Sequence, residues 1–175
     1  MDSEFILTIY PDIPDYQGDT EQLVSLFKKC KLVGIALDNK RYATGEKFLS
    51  LLTFMGCSPN IELEPQDNKP YCYIELKTPS QMQFISGKNT KYPLCSQCKE
   101  KLKKLTCTKC DNRINPTIIN WRKSAFVANC WIVIANIYEL EAIPNDELLE
   151  LLANETGIKW KYAYLRQAKE INLNL

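Results

Sequence analysis

Two cysteine pairs dominate this sequence of 175 residues: Cys95-Ser-Gln-Cys98 and, after eight intervening residues, Cys107-Thr-Lys-Cys110. Two residues between the members of a pair permit a tight turn that aims both sulfurs at one ion. Two such turns brought together supply the four thiolates of a tetrahedral site. One structural zinc is the first reading, because an all-cysteine site leaves no open position for a substrate. The same ligands would also serve a redox dithiol or an iron site. The chain has no histidine, which excludes histidine bases, serine and cysteine triads, and carboxylate–histidine metal sites. None of its six glycines falls in a P-loop or dinucleotide-binding spacing.

The segment Leu94 to Arg113 resembles a short zinc ribbon. The resemblance implies that Cys95, Cys98, Cys107 and Cys110 hold zinc on two knuckles at the ends of a small hairpin. Where such knuckles often carry glycine after the second cysteine, this chain has Lys99 and Asp111.

The other four cysteines, Cys30, Cys57, Cys72 and Cys130, lie scattered in apolar runs and read as small buried hydrophobes. A disulfide framework fits poorly. Asp2 and Glu4 stand where a secretory signal would carry basic residues, and the apolar run Phe5 to Tyr10 is short for a signal core. No stretch reaches the roughly 18 apolar residues of a membrane span. The expected setting is cytoplasmic and reducing, where close cysteines hold metal rather than each other.

A net charge of +1 conceals a division. Residues 85–125 carry ten basic side chains against Glu100 and Asp111, whereas the rest of the chain has 12 basic against 19 acidic. Lys99, Lys101, Lys103 and Lys104 lie on or between the knuckles, so a hairpin would gather them near one tip, with Tyr92 and Trp121 nearby as stacking surfaces. Phosphates attract lysine and bases stack on aromatic rings, so this composition suits nucleic acid. The scarcity of arginine, only Arg113 and Arg122 in this region, argues against reading of base edges and leaves a protein partner as the first choice. The plentiful carboxylates include no pairing motif that would assign Asp38, Glu62 or Glu75 to acid–base work. Cys57, expected just after a helix C-terminus, is a poor nucleophile, because the dipole there raises a thiol pKa.

The elements that must carry these residues follow from periodicity. Phe5 to Tyr10 reads as a strand, and Asp19 caps a helix with Leu23, Val24, Leu26 and Phe27 on its apolar stripe. Leu32 to Leu37 is a strand candidate. Gly45 to Met55 reads as a helix with Phe48, Leu51, Leu52 and Met55 on one face and Gly56 as its stop. Ile61 to Glu64 and Tyr71 to Lys77 read as strands, and Ala128 to Leu140 as a long central strand with two apolar faces. Asn145 caps a leucine-rich helix that ends at Gly157, and Ile158 to Arg166 closes as a strand. A duplication relating Glu46–Leu63 to Glu147–Leu165 would explain their shared helix, glycine and strand pattern.

At 45% hydrophobic and 25% charged residues, the composition is that of one folded domain with a small insert. The expected architecture is α+β, a two-layer sandwich with helices on a mixed sheet. Residues 1–90 and 114–175 would form the body and 91–113 the zinc-ribbon insert. The expected function is a non-catalytic, zinc-stapled module that binds a macromolecule. A protein partner comes first, nucleic acid held by residues 85–125 second, and an enzyme without histidine third.

Overall fold

The structure, a computed structural model, describes residues 3–56 and 60–173. In chain order its elements are β1 (Phe5–Pro11), α1 (Thr20–Lys29), β2 (Val33–Ala36), β3 (Arg41–Thr44), β4 (Leu52–Phe54), β5 (Tyr73–Lys77) and β6 (Gln83–Ser86). After a short 3-10 turn at Pro116–Ile118 come β7 (Ala125–Ala128), β8 (Trp131–Ala135), β9 (Ala142–Pro144), α2 (Asp146–Thr156), β10 (Trp160–Arg166) and β11 (Lys169–Asn172).

Both helices arise where the caps place them. The Asp19 carboxylate accepts from the Gln22 N–H (3.0 Å) and buries Leu23, Leu26 and Phe27 along one face of α1. The Asn145 side chain does the same for Leu148 N–H (3.0 Å), and Gly157 ends α2 at φ 71°, a conformation that needs no Cβ.

Six strands form one sheet in the order β10-β1-β8-β5-β3-β2, and every neighbouring pair in it is antiparallel. A second sheet has the order β11-β6-β7, and β4 pairs with β9. Leu7, Ile9, Ile132 and Ile134 bury one face of the large sheet against α1 and α2. The other face, through Ile6, Trp131, Val133 and Leu165, packs on Ile85, Phe126 and Ala128 of the second sheet.

This overturns the expected two-layer sandwich of helices on a mixed sheet. Strand predominates over helix, in three sheets, and the described residues carry two α-helices. The two apolar faces of β8 are covered differently from one another, one by helices and one by a second sheet. That sheet is built from β6, β7 and β11, four-residue strands too short to announce themselves by alternation.

Four local expectations also change. Residues 45–55 make turns and then β4, not a helix. Gly45 N–H donates to Leu32 O (2.8 Å) and Lys47 N–H to Lys31 O (3.0 Å), so the segment is tied across the end of α1 before a helix can propagate. A Cβ at Gly45 would stand 2.2 Å from the Lys31 carbonyl oxygen. Phe48, Leu51 and Leu52 are buried as expected, whereas Met55 is exposed. Residues 61–64 are irregular, and 128–140 is interrupted where Asn129 N–H turns away to Pro14 O (3.0 Å). It ends at Asn136, held at φ 61° with its side-chain amide donating to Tyr71 O (2.6 Å). Without a first helix, the proposed duplication has no structural counterpart.

Candidate metal centre

Each cysteine pair occupies a turn of the same construction. Lys99 N–H returns to Cys95 O (3.0 Å) and Asp111 N–H to Cys107 O (3.1 Å). Both residues take the left-handed conformation, at φ 61° and 57°, in the places where glycine is the easier occupant. Cys95 N–H then donates to Glu100 O (2.8 Å) and Cys107 N–H to Asn112 O (2.9 Å). Single antiparallel bridges, Leu94 with Lys101 and Thr106 with Arg113, clamp the base of each turn. Each of these backbone bonds in the first turn recurs twelve residues later, as does that of Leu102 N–H to Pro93 O (3.2 Å) in Ile114 N–H to Leu105 O (2.9 Å). The twelve-residue offset was legible in the sequence, since Pro93-Leu-Cys-Ser-Gln-Cys aligns with Leu105-Thr-Cys-Thr-Lys-Cys.

The two turns bring four sulfurs together. Cys95 Sγ lies 3.6 Å from Cys110 Sγ and Cys98 Sγ 3.5 Å from Cys107 Sγ, and all four fall within 4.8 Å of one another. A tetrahedron with metal–sulfur bonds of about 2.3 Å has edges of about 3.8 Å, so the cluster is at metal-binding distance. It is far from disulfide contact, which requires about 2.05 Å.

The electrostatics divide the sulfurs. The backbone amide of Cys98 leads in pulling the Cys95 thiol down to about 6, and the Lys109 amide, 3.4 Å from Cys107 Sγ, lowers that thiol too. The Asn112 side chain donates to Cys95 Sγ (3.7 Å), a contact the sequence reading did not foresee. At Cys110 the Asn112 amide lowers the pKa, but burial and the three neighbouring sulfurs prevail and push it up to about 12. All four sulfurs can be thiolates together at this spacing only with a cation among them.

The cysteines sit on a small core of their own. Cys95, Leu102 and Cys107 are buried and pack with Tyr92 and Ile114. Tyr92 and Ile114, with Leu105, also belong to the cluster that covers the outer face of the second sheet at Phe84 and Val127. Where the segment leaves and rejoins the body it is pinned: Thr90 Oγ1 donates to Ser124 O (2.9 Å) and Lys91 N–H to Ser124 Oγ (2.9 Å).

Trp121 falls inside this packing. It is 5% exposed, its indole N–H donates to Pro116 O (2.9 Å), and its ring lies 4.9 Å from Phe84 and 5.6 Å from Tyr92. This expected stacking surface is thus core rather than an exposed ring. Lys99, Lys101, Lys103 and Lys104 are all exposed, and among the described residues none of them is ion-paired with a carboxylate. The Lys99 ammonium donates only to Ser96 O (3.2 Å).

Of the carboxylates weighed above, Asp38 is held down to about 2 by the Lys40 amide and the Arg41 side chain. Glu75 pairs with Lys77 (3.2 Å), and Glu62 accepts from Gln66 (3.0 Å). Among the remaining cysteines, burial pushes Cys72 and Cys130 up to about 12, and half-buried Cys30 is raised for the same reason. Cys57 lies outside the described residues. With metal bound, native protein is expected to react with a thiol reagent at Cys72 and Cys130 only as fast as the fold opens. Mass mapping of labelled peptides checks this, and prompt labelling of either residue would refute it.

No protein-family model, curated protein or solved structure matches the chain. Among the described residues, no helix is long and apolar enough to cross a membrane.

Proposed function

We propose that this protein is a zinc-stapled module that binds a protein partner, and that residues 91–113 form its ribbon-like insert on a body of residues 1–90 and 114–175. One zinc held by Cys95, Cys98, Cys107 and Cys110 acts as a staple, since all four positions around it are filled by sulfur. The observation that carries the reading is the set of exposed, unpaired cations at Lys99, Lys101, Lys103 and Lys104. Among the described residues the acidic body of the same chain pairs no carboxylate with them, so their natural complement is an acidic surface elsewhere. Nucleic acid is the rival complement. It is disfavoured here because Trp121 is spent in the core and half-buried Tyr92 is packed edge-on against Phe84 and Trp121, so neither ring stands free as a platform for a base.

The test is the triple variant Lys101→Gln, Lys103→Gln, Lys104→Gln, titrated in a salt series against polyglutamate as an acidic protein surrogate and against duplex DNA. Polyglutamate association is expected to slow at least several-fold while DNA retention stays at background. Wild-type DNA binding whose log–log salt slope shrinks by about 0.9 for each contact removed would replace the reading with nucleic-acid binding.

A further inference from the structure

A groove of about 770 Å³ lies where the two sheets end side by side, between the edge strands β10 and β7. Along an edge strand, outward N–H and C=O groups recur at every second residue. At Tyr164 and Arg166 they are taken. Tyr164 N–H donates to Lys123 O (2.9 Å) and Arg166 N–H to Asn89 Oδ1 (2.9 Å), while Tyr164 O accepts from Asn89 (2.8 Å) and Arg166 O from Lys88 N–H (2.8 Å). The equivalent groups of Trp160 and Tyr162 face the groove, and among the described residues nothing bonds to them.

The turn that caps this edge is unusual in its residues. Ser124 N–H donates to Trp121 O (3.0 Å), and between them Arg122 and Lys123 stand at φ 51° and 60°. Two consecutive left-handed residues make a type I′ turn, which ordinarily falls to Asn-Gly. Here it sets two long cations at the lip of the groove. Among the described residues Arg122 has no carboxylate partner, and the Lys123 ammonium sits 4.0 Å above the Tyr162 ring and donates to its hydroxyl (2.5 Å). The groove's own carboxylate, Asp12, is already paired with Lys161 (2.5 Å). Ile118, 78% exposed, supplies an apolar wall.

We infer that this groove binds an acidic protein segment in extended conformation, added as a strand to the Trp160–Tyr162 edge with its carboxylates against Arg122 and Lys123. Strand addition gives affinity through the backbone and selectivity through alternate side chains. A second copy of the chain is a poorer occupant, because two-fold pairing at this edge sets like charges together. Phosphate is poorer too, since it meets the outward carbonyls as unfavourably as it meets the N–H groups favourably. The inference rests on the reading of the protein as a partner-binding module, but on residues separate from the ribbon lysines.

The experiment uses full-length protein and an eight-residue blocked peptide alternating glutamate with valine. Its controls are the same peptide N-methylated at alternate residues and an alternating lysine–valine peptide. Wild type is expected to bind only the first, and Arg122→Asn with Lys123→Gly is expected to weaken that binding at least tenfold. Asn-Gly suits the turn, so the variant should melt no lower than wild type and a loss of binding cannot be laid to unfolding. Equal binding of the N-methylated peptide, a much lower melting temperature for the variant, preference for duplex DNA, or no peptide binding at all would each overturn the inference. In the last case, polyglutamate binding that still depends on Lys101, Lys103 and Lys104 would leave the broader reading standing.

Discussion

Serine in place of Cys107 is expected to abolish tight metal binding and to lower the melting temperature by more than about 10 °C. The size of the effect comes from what the site anchors. Cys107 shares its core with Leu102, Tyr92 and Ile114, and the last two also seal the outer face of the second sheet. Losing the ion therefore loosens packing at Phe84 and Val127 as well as the two turns. The large sheet has a separate core through Leu7, Ile132 and Ile134 and should keep its far-ultraviolet circular dichroism at moderate temperature. Metal analysis and thermal melting of Cys107→Ser beside Thr108→Ala, an exposed neighbour, decide the matter. Undiminished zinc in the serine variant would refute the ligand assignment, and equal melting temperatures would refute the anchoring role.

Truncating Trp121 to alanine is expected to destabilise the fold by about 3–5 kcal/mol, as for other large buried aromatic residues, or roughly 10 °C in a chain of this size. The indole fills the space between Phe84 and Tyr92 and satisfies Pro116 O, so the variant loses volume and a buried hydrogen bond together. Trp121→Phe should recover about half of the loss. A surface platform for bases would behave oppositely, with stability nearly unchanged and nucleic-acid affinity reduced by about 1–3 kcal/mol. Thermal melting of the two variants separates these cases.

The reading of Trp121 illustrates what the sequence could and could not convey. The cysteine spacing, the caps at Asp19, Asn145 and Gly157, and the strand expected at Tyr71 to Lys77 are local signals, and each is realised in place, the last as β5. The layering is not local. β1 lies between β8 and β10, which come from the far end of the chain, and β11 reaches back to β6. No periodicity in four-residue strands such as β3, β6 or β11 specifies those partners. At residues 45–55 the buried Phe48, Leu51 and Leu52 satisfy a helix and a turn followed by a strand equally well, and the tie to Lys31 and Leu32 decides between them. At the candidate metal centre the gathering of the four cysteines was legible from spacing, whereas their seating on the second sheet depended on Tyr92, Leu105 and Ile114 meeting Phe84 and Val127 in space.

The strand order also fixes a sequence of events in time. Phe5 pairs with Arg166 and Ile6 with Ala135, so the large sheet closes only after loops of well over a hundred residues have been drawn in, a slow step by contact order. The cysteine turns are the reverse case, since each closes over about five residues and their sulfurs meet at short range. If the four cysteines hold an ion as proposed, its capture can precede the rest of folding. It shortens the effective loop between Ser86 and Ala125, which must come together for β6 to join β7. Metal availability during synthesis would then govern how quickly this protein folds, as well as how stable it is once folded.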